Sequence, residues 1–169
     1  MRPASRPVRR VIGIDPGSVN CGWGIVEARG NTLTRVASGV IKAGRGAFSG
    51  RLITIYDAIR DLVAEHSPNE GAIEGIFHQR NAQSALKLGH ARGVALLALV
   101  HAELPVTEYE PSRVKKAVMG RGGASKEQIR SMVALLLKSS NQCGLDESDA
   151  LAIAICHLQR LPSLNRSPL

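Results

Sequence analysis

The stretch IGIDPGSVNCGWGIVE, residues 12–27, places a single carboxylate, Asp15, between a short hydrophobic segment and a Pro-Gly turn. The flanking residues are typical of two strands, over 10–15 and 22–28, that pair with each other across the turn. Because the end of a buried strand is a costly place for a charge, the acid needs a reason to be there. One structural reason is available, since Asp before Pro-Gly often starts a turn.

The composition of the whole chain indicates one basic globular domain. The 169 residues are 44% hydrophobic and 21% charged, which allows a sizeable core. The 22 basic and 14 acidic residues give a net charge of +8. Such an excess favours a polyanionic partner, and nucleic acid is the commonest one. The alternative is a charge that serves only solubility.

The cysteines and the lengths of the apolar runs indicate the compartment in which the protein is expected. Cys21, Cys143 and Cys156 lie far apart and lack the spacing of a metal site, so we expect reduced thiols. No apolar run approaches the roughly 18 residues that a membrane helix needs, and the N-terminus lacks the apolar segment of a signal peptide. We therefore expect a cytoplasmic protein with no membrane partner.

Hydrophobic periodicity along the chain predicts the element order β-β-β-α-β-α-β-α-α-α. After the first two strands, further strands are predicted over residues 33–42, 71–77 and 104–110, and helices over 51–66, 81–103, 111–119, 129–138 and 145–160. A capping-box pattern at Ser125 and Gln128 precedes the helix over 129–138. This order predicts an α/β fold with a mixed five-stranded sheet and helices on both faces. We expect a single domain over 10–160, a disordered basic arm over 1–9 and a loose tail over 161–169.

Four acids with apolar surroundings lie at the ends of these elements. Asp15 ends the first strand and Glu74 the fourth, and a right-handed crossover makes these two strands neighbours. Asp146 and Asp149 lie three residues apart at the start of the last helix, so they share one helical face. The ordinary alternatives are a helix cap for Asp146 and a favourable first-turn acid for Asp149. Glu74 has the weakest ordinary explanation.

Carboxylates that converge in this way repel one another unless a cation neutralises them. Mg²⁺ prefers oxygen ligands and is usually bound by a few carboxylates together with substrate phosphate. Two such ions bind both the attacking and the leaving oxygen of a phosphodiester. The four acids therefore predict a two-metal-ion phosphodiester hydrolase.

Four ordered segments of the chain resemble the RuvC family of bacterial Holliday-junction resolvases. They are IGIDPGS (12–18), AIEGIF (72–77), NAQSALKLGHARGV (81–94) and LDESDALAIAI (145–155). The resemblance implies an RNase-H-like fold of the retroviral-integrase superfamily. It also implies a homodimeric, structure-specific endonuclease that resolves four-way DNA junctions by symmetric nicking of two like-polarity strands, in homologous recombination and DNA repair. The further implied partners are RuvA and RuvB, which form the branch-migration motor.

The resemblance also implies roles for the individual acids. The family's catalytic and metal-binding residues map onto Asp15, Glu74, Asp146 and Asp149. Some relatives carry His at the position of Asp146, whereas this chain keeps an all-oxygen site. The implied cofactors are Mg²⁺ or Mn²⁺, with two ions per subunit.

Basic and aromatic side chains complete the predicted site. The family's active-site lysines map onto Lys115 and Lys126, and Phe77 matches an aromatic residue that contacts bases. Lys126 is predicted to be catalytic, because a cation at a helix N-terminus is otherwise unfavourable and would here stabilise the transferring phosphate. The predicted DNA-binding residues are Phe77, His78, Arg80, Lys87, Lys115 and Arg121. Gly75 and residues 78–80 depart from the family pattern, which leaves the preferred cleavage sequence open.

The residues alone leave three other functions open. ATP-binding proteins of the actin and sugar-kinase type begin with a similar strand and turn, but they need a second such motif and a second domain. A nuclease that acts on RNA or on an RNA/DNA hybrid would share the fold. A non-catalytic junction-binding module would share the basic charge, although the four acids argue against it.

Overall fold

The computed structural model describes residues 8–75, 81–139 and 143–160. The elements of these residues are β1 (Arg9–Asp15), β2 (Asn20–Arg29), β3 (Thr32–Lys42), α1 (Phe48–His66), β4 (Glu70–Glu74), α2 (Ala82–His101), β5 (Val106–Tyr109), α3 (Pro111–Met119), α4 (Lys126–Leu136) and α5 (Leu145–Gln159). The order and type of every element agree with the sequence prediction.

The five strands form one mixed sheet in the order β3-β2-β1-β4-β5. β1 and β2 are antiparallel, as are β2 and β3, whereas β4 lies parallel to β1 and β5 lies parallel to β4. The predicted adjacency of the first and fourth strands is confirmed, since Ile14 of β1 is in register with Ile73 of β4. The carboxyl ends of these two strands therefore lie side by side.

Alternation along β1 directs its side chains into two separate cores. Ile12 and Ile14 are fully buried on one face, in the core that also contains residues of α1 and α2. Val11 is buried on the other face, with residues of α3, α4 and α5. The prediction of helices on both faces is therefore confirmed, and Asp15 belongs by its register to the α5 face.

The predicted helix starts are borne out in their hydrogen bonds. The Asn81 side chain accepts hydrogen bonds from the backbone N–H groups of Gln83 and Ser84. Ser125 and Gln128 form the reciprocal capping box before α4. These caps satisfy N–H groups that have no partner within the helix.

Several element boundaries differ from the predicted ones. β1 begins at Arg9, α1 begins three residues before the predicted start at residue 51, and β4 ends at Glu74. α2 ends at His101 because the chain turns at Glu103, which has a positive φ of 60°. Residues 76–77, which were predicted to continue β4, lie outside the described residues.

The backbone of α5 lies directly on β1 and β2 because three glycines leave room for it. Gly13 and Gly24 pair across the two strands, and Gly22 pairs with Asp15. A Cβ at Gly13 would lie 2.2 Å from the Ala150 carbonyl oxygen, and a Cβ at Gly22 would lie 2.1 Å from that of Asp146. The helix therefore approaches the sheet more closely than any side chain would allow.

A hydrogen-bonded chain fixes the other end of α5. The Tyr109 hydroxyl and the Nδ1 atom of His157 are 2.9 Å apart, and the Nε2 atom of His157 lies 2.8 Å from a Glu70 oxygen. Arg9 donates to both carboxylate oxygens of Glu70 at 2.7 and 2.8 Å. These bonds, led by that of Arg9, hold the pKa of Glu70 at about 2. The first strand and the last helix are thus joined at this end by a satisfied polar network.

No helix in the described part of the chain is long and apolar enough to cross a membrane.

Replacement of Gly13 by Ala should destabilise the fold, since the new methyl group would meet the α5 backbone. We expect the free energy of unfolding to fall by about 1–3 kcal/mol, as is usual when a packed core is overfilled. Urea-induced unfolding measures this change. Gly46→Ala is the matched control because a Cβ at Gly46 has no neighbour within 4 Å. Equal stability of the two variants would contradict the close packing of α5.

Candidate active site

Asp15 and Glu74 lie at the same end and on the same face of the sheet. Val11, Gly13 and Asp15 follow one another at the two-residue period of β1, and Ala72 and Glu74 do so on β4. Since Val11 and Ala72 are both buried against α5, the two acids are directed toward the start of that helix. Chain register alone therefore makes them neighbours.

The first turn of α5 brings the other two acids to this place. Asp146 and Asp149 lie in α5 three residues apart, and the carbonyl oxygen of Asp146 is packed against Gly22, the partner of Asp15 in the sheet. The interpretation of Asp146 as a helix cap is wrong, because Gly144 is the N-cap residue and Glu147 accepts its backbone N–H. The interpretation of Asp149 as a first-turn acid is also wrong, since the acids of the first turn are Asp146 and Glu147.

The electrostatics of Asp15 show that the acids converge. Its pKa is raised to about 8, first by burial and then by the negative charges of Glu74, Asp149 and Asp146. Burial also raises the pKa of Glu74, as does the charge of Asp149, while a hydrogen bond with Asp15 opposes this rise. The two strand-end carboxyl groups therefore lie close enough to influence each other's pKa.

Two lysines lie beside the four acids. The Nζ atom of Lys126, at the start of α4, lies 3.1 Å from an oxygen of Asp149, and this contact is the main cause of its raised pKa. The positive charges of Lys126 and of Lys115, on α3, both oppose the rise in the pKa of Glu74. The structure thus brings both predicted lysines to the carboxylates.

Arg92 of α2 holds the end of β4 in place, which the sequence analysis missed. Its Nε atom donates to the carbonyl oxygen of Glu74 at 3.0 Å, and its guanidinium also forms an ion pair with Glu108 of β5. The side chain is only 14% exposed. The sequence did contain a signal for this role. Arg92 is a charged residue within the mainly small and apolar stretch of residues 88–99, and such a residue usually has a partner when it is buried.

The remaining predicted DNA contacts divide into two groups. Lys87 is exposed on α2, and Arg121 is exposed in the loop between α3 and α4, so both are accessible to a polyanion. Phe77, His78 and Arg80 lie outside the described residues. Their predicted roles stay predictions.

The nearby thiol of Cys21, which is buried in the core on the other face of the sheet, is not suited to metal binding. Cys21 is buried, and its pKa is raised to about 12 by burial, with smaller contributions from the charges of Asp15 and Asp146. A thiol must lose its proton to bind a metal well, so Cys21 stays neutral. The available ligand atoms of this site are therefore carboxylate oxygens.

The chemistry of these ligands fits a hard divalent cation. These partly buried carboxylates raise one another's pKa although Lys126 and Lys115 lie beside them, and a cation that prefers oxygen would neutralise the remaining negative charge. Across the described segments, no three His, Cys, Asp or Glu side chains already form a closed metal-binding group. The carboxylates are thus neighbours and not a preformed metal-binding group.

Fold and site together define the class of protein. The mixed sheet in the order β3-β2-β1-β4-β5, with acids at the ends of β1 and β4 and at the start of α5, is that of an RNase-H-like domain with a carboxylate site of the nuclease type.

Comparison with known sequences agrees with this class. The family described as "Crossover junction endodeoxyribonuclease RuvC" matches residues 11–157. The chain is 51% identical over 150 residues to a protein of that name from Pelobacter propionicus, a match that covers 88% of this chain and 85% of the other. It is 46% identical over 151 residues to one from Alkalilimnicola ehrlichii, with 89% and 92% covered.

Comparison with solved structures gives the same family. The structure titled "T. thermophilus RuvC in complex with Holliday junction substrate" matches with a TM-score of 0.84 and 32% identity, over 89% of this chain and 93% of the other. A yeast mitochondrial Holliday junction resolvase matches with a TM-score of 0.63 at 15% identity, which shows a shared fold. The protein belongs to the RuvC family of crossover junction endodeoxyribonucleases.

The raised pKa of Asp15 predicts how stability depends on pH without metal. The folded protein holds this proton up to pH about 8, whereas the ordinary pKa is 3.8. Between these values the native state binds more protons, so the free energy of unfolding falls as pH rises, by at most about 1.4 kcal/mol per pH unit for one group. Glu74 acts in the same direction.

Asp15→Asn should lessen this fall, because the amide does not titrate. Urea-induced unfolding of both proteins at pH 5, 6, 7 and 8, in buffer with a chelator, provides the measurement. The pKa values of Glu27 and Glu70 are lowered by their arginine partners, so these residues change the free energy of unfolding only at more acidic pH. Their contribution is the same in both proteins. Parallel stability curves for the two proteins would show that Asp15 ionises normally.

Proposed function

We propose that this protein is a metal-dependent endonuclease that resolves four-way DNA junctions by nicking two like-polarity strands. The observation that carries the proposal is the convergence of Asp15, Glu74, Asp146 and Asp149 on one face of a protein with a net charge of +8. The net positive charge favours binding to a polyanion. The acidic site within this basic protein is suited to bind metal ions that hydrolyse a phosphodiester, which binding alone would not require. The Thermus relative in complex with a Holliday junction supports four-way DNA as the substrate.

The four acids are the proposed ligands of Mg²⁺ or Mn²⁺, with two ions per subunit. When bound, such ions polarise the scissile phosphate and lower the pKa of water near it. Asp15 lies centrally among the acids, because the charges of all three others raise its pKa. Its carboxylate is therefore suited to serve both ions.

The chain's own residues prepare this site for a phosphate. Lys126 lies 3.1 Å from Asp149 and is 63% exposed, so its ammonium group can turn toward a strand of DNA without breaking a buried contact. Its positive charge would offset the charge that develops on the phosphate. A Cβ at Gly17 would lie 1.9 Å from the carbonyl oxygen of Asn20. The turn after Asp15 is therefore tight and requires glycine at position 17.

The surroundings of the site offer further phosphate contacts. Lys115 lies close enough to influence Glu74, and Lys87 and Arg121 are exposed. Lysine and arginine contacts of this kind supply most of the sequence-independent affinity for DNA. We propose that Phe77, His78 and Arg80, which lie outside the described residues, contact the bases or the backbone near the crossover.

An exposed apolar stripe on α2 supports a homodimer. Leu86, Leu97 and Val100 are 64%, 56% and 54% exposed. Residues 86, 90, 93, 97 and 100 are separated by alternating steps of four and three residues. This spacing is typical of the contact line between two packed helices. Two copies joined there would present two acidic sites to the two strands of one junction.

The proposal also places the protein in the cytoplasm, where RuvA and RuvB would supply branch migration during recombination and repair.

Asp15→Asn should abolish nicking while junction binding survives. We expect the rate of cleavage to fall by at least about 100-fold, since the central charged group of the site is lost. The assay compares a mobile four-way junction, a duplex and an RNA/DNA hybrid in Mg²⁺, and gel shift without metal measures binding. Nicking of the junction at the wild-type rate by Asp15→Asn would refute the proposal. Preferential cleavage of the hybrid would instead favour the RNA-directed alternative.

Leu97→Lys should convert the dimer to a monomer, because the substitution places a charge in the proposed seam. Light scattering after size-exclusion chromatography measures the mass in solution. Leu135→Lys is the matched control, since Leu135 is also exposed, at 70%, but lies on α4. A wild-type mass for Leu97→Lys would place the dimer contact elsewhere.

A further inference from the structure

Glu147 stands between two of the proposed metal ligands in sequence, yet its carboxylate is bound by another part of the fold. One oxygen accepts from the guanidinium of Arg35 at 2.6 Å and from the hydroxyl of Ser38 at 2.6 Å, and both residues belong to β3. The second oxygen accepts the backbone N–H of Gly144 at 3.2 Å. Three donors from two elements thus meet on one side chain.

These contacts exceed what helix capping requires. A capping glutamate needs only the bond to the N-cap N–H, and here that is the longest of the three bonds. The Glu147 side chain is 16% exposed and that of Arg35 is 29% exposed, so the ion pair is partly shielded from water. A shielded, charge-assisted contact is stronger and more directional than an exposed one. The additional bonds therefore tie the helix to the sheet.

The tie acts on the part of α5 that carries the acids. Gly22 of β2 supports the backbone of Asp146 from below, and β3 holds the next residue through its side chain. Two adjacent residues of the turn are thus fixed by two different strands. With both held, the backbone that carries Asp146 and Asp149 is fixed relative to the sheet.

We propose that Glu147, with Arg35 and Ser38, is a positioning group that holds the first turn of α5 so that Asp146 and Asp149 face Asp15 and Glu74. This inference rests on the proposed function in treating those four acids as metal ligands. Partners that orient metal ligands typically alter metal affinity by about 10-fold or more when removed. Arg35, Ser38 and Glu147 themselves touch neither the substrate nor the ions.

Arg35→Met separates positioning from simple electrostatics, because the two effects have opposite signs. Removal of a positive charge near a cation site should by itself strengthen cation binding. Loss of the tie should instead weaken it, and we expect Mn²⁺ affinity without DNA to fall by about 10-fold. Electron paramagnetic resonance of free Mn²⁺ measures this directly. Arg35→Lys keeps the charge and one donor group and should recover part of the affinity.

Arg10→Met is the matched control. Arg10 also forms a 2.6 Å ion pair with a shielded glutamate, Glu27, and its side chain is 32% exposed, but it lies at the opposite end of β1 from Asp15. It should lose similar stability and keep wild-type Mn²⁺ affinity. Mn²⁺ binding by Arg35→Met as tight as wild type, or tighter, would overturn the inference.

Amide hydrogen exchange tests the tie without any metal. Arg35→Met should increase exchange in residues 144–149 relative to the wild type and to Arg10→Met, whereas unchanged exchange there would overturn the inference. Failure of the wild type to bind Mn²⁺ would contradict the proposed function instead, and the exchange experiment would then still decide whether β3 holds the start of α5.

Discussion

The close approach of α5 to the first two strands is the contact on which the site depends. Gly13, Gly22 and Gly24 leave no side chains beneath the helix, so backbone meets backbone across the layer. Any larger residue there would lift the helix and carry Asp146 away from the ends of β1 and β4. The apolar residues 150–156 of α5 are buried between the sheet and helices α3 and α4, so that hydrophobic burial supplies the force that holds the acids together.

In this arrangement the favourable packing of α5 is opposed by repulsion among the carboxylates that it brings together. Burial and repulsion raise the pKa of Asp15 to about 8, and Lys126 offsets only part of the accumulated charge. The cost is local, because the cores on the two faces are apolar and the Glu70 network at the far end of α5 is fully paired. A fold with two apolar cores can hold one group of like charges where a cation and a phosphate are expected to bind.

The sequence predicted the sheet, the helix order, the adjacency of Asp15 and Glu74 and the shared face of Asp146 and Asp149, because these follow from periods of two and 3.6 residues and from the crossover rule. Those rules do not say where the last helix lies, so the meeting of the two pairs was a hypothesis that the RuvC resemblance supported. The supporting contacts were missed for physical reasons. Arg35 and Ser38 are 109 to 112 residues from Glu147 along the chain, and local pattern carries no information about such pairs. The glycines of β2 were visible, and their two-residue spacing marked one face, but only the register with Gly13 shows that a helix lies on it.

The position of α5 in the chain has a consequence for how the protein acquires its activity. This helix is the last of the ten elements in the described part of the chain, yet it packs on the first two. Such distant pairing closes slowly, and on the ribosome it must wait until residues 145–159 have emerged. Half of the acidic site arrives with that helix. A nascent chain that still lacks α5 would therefore lack two of the four proposed metal ligands.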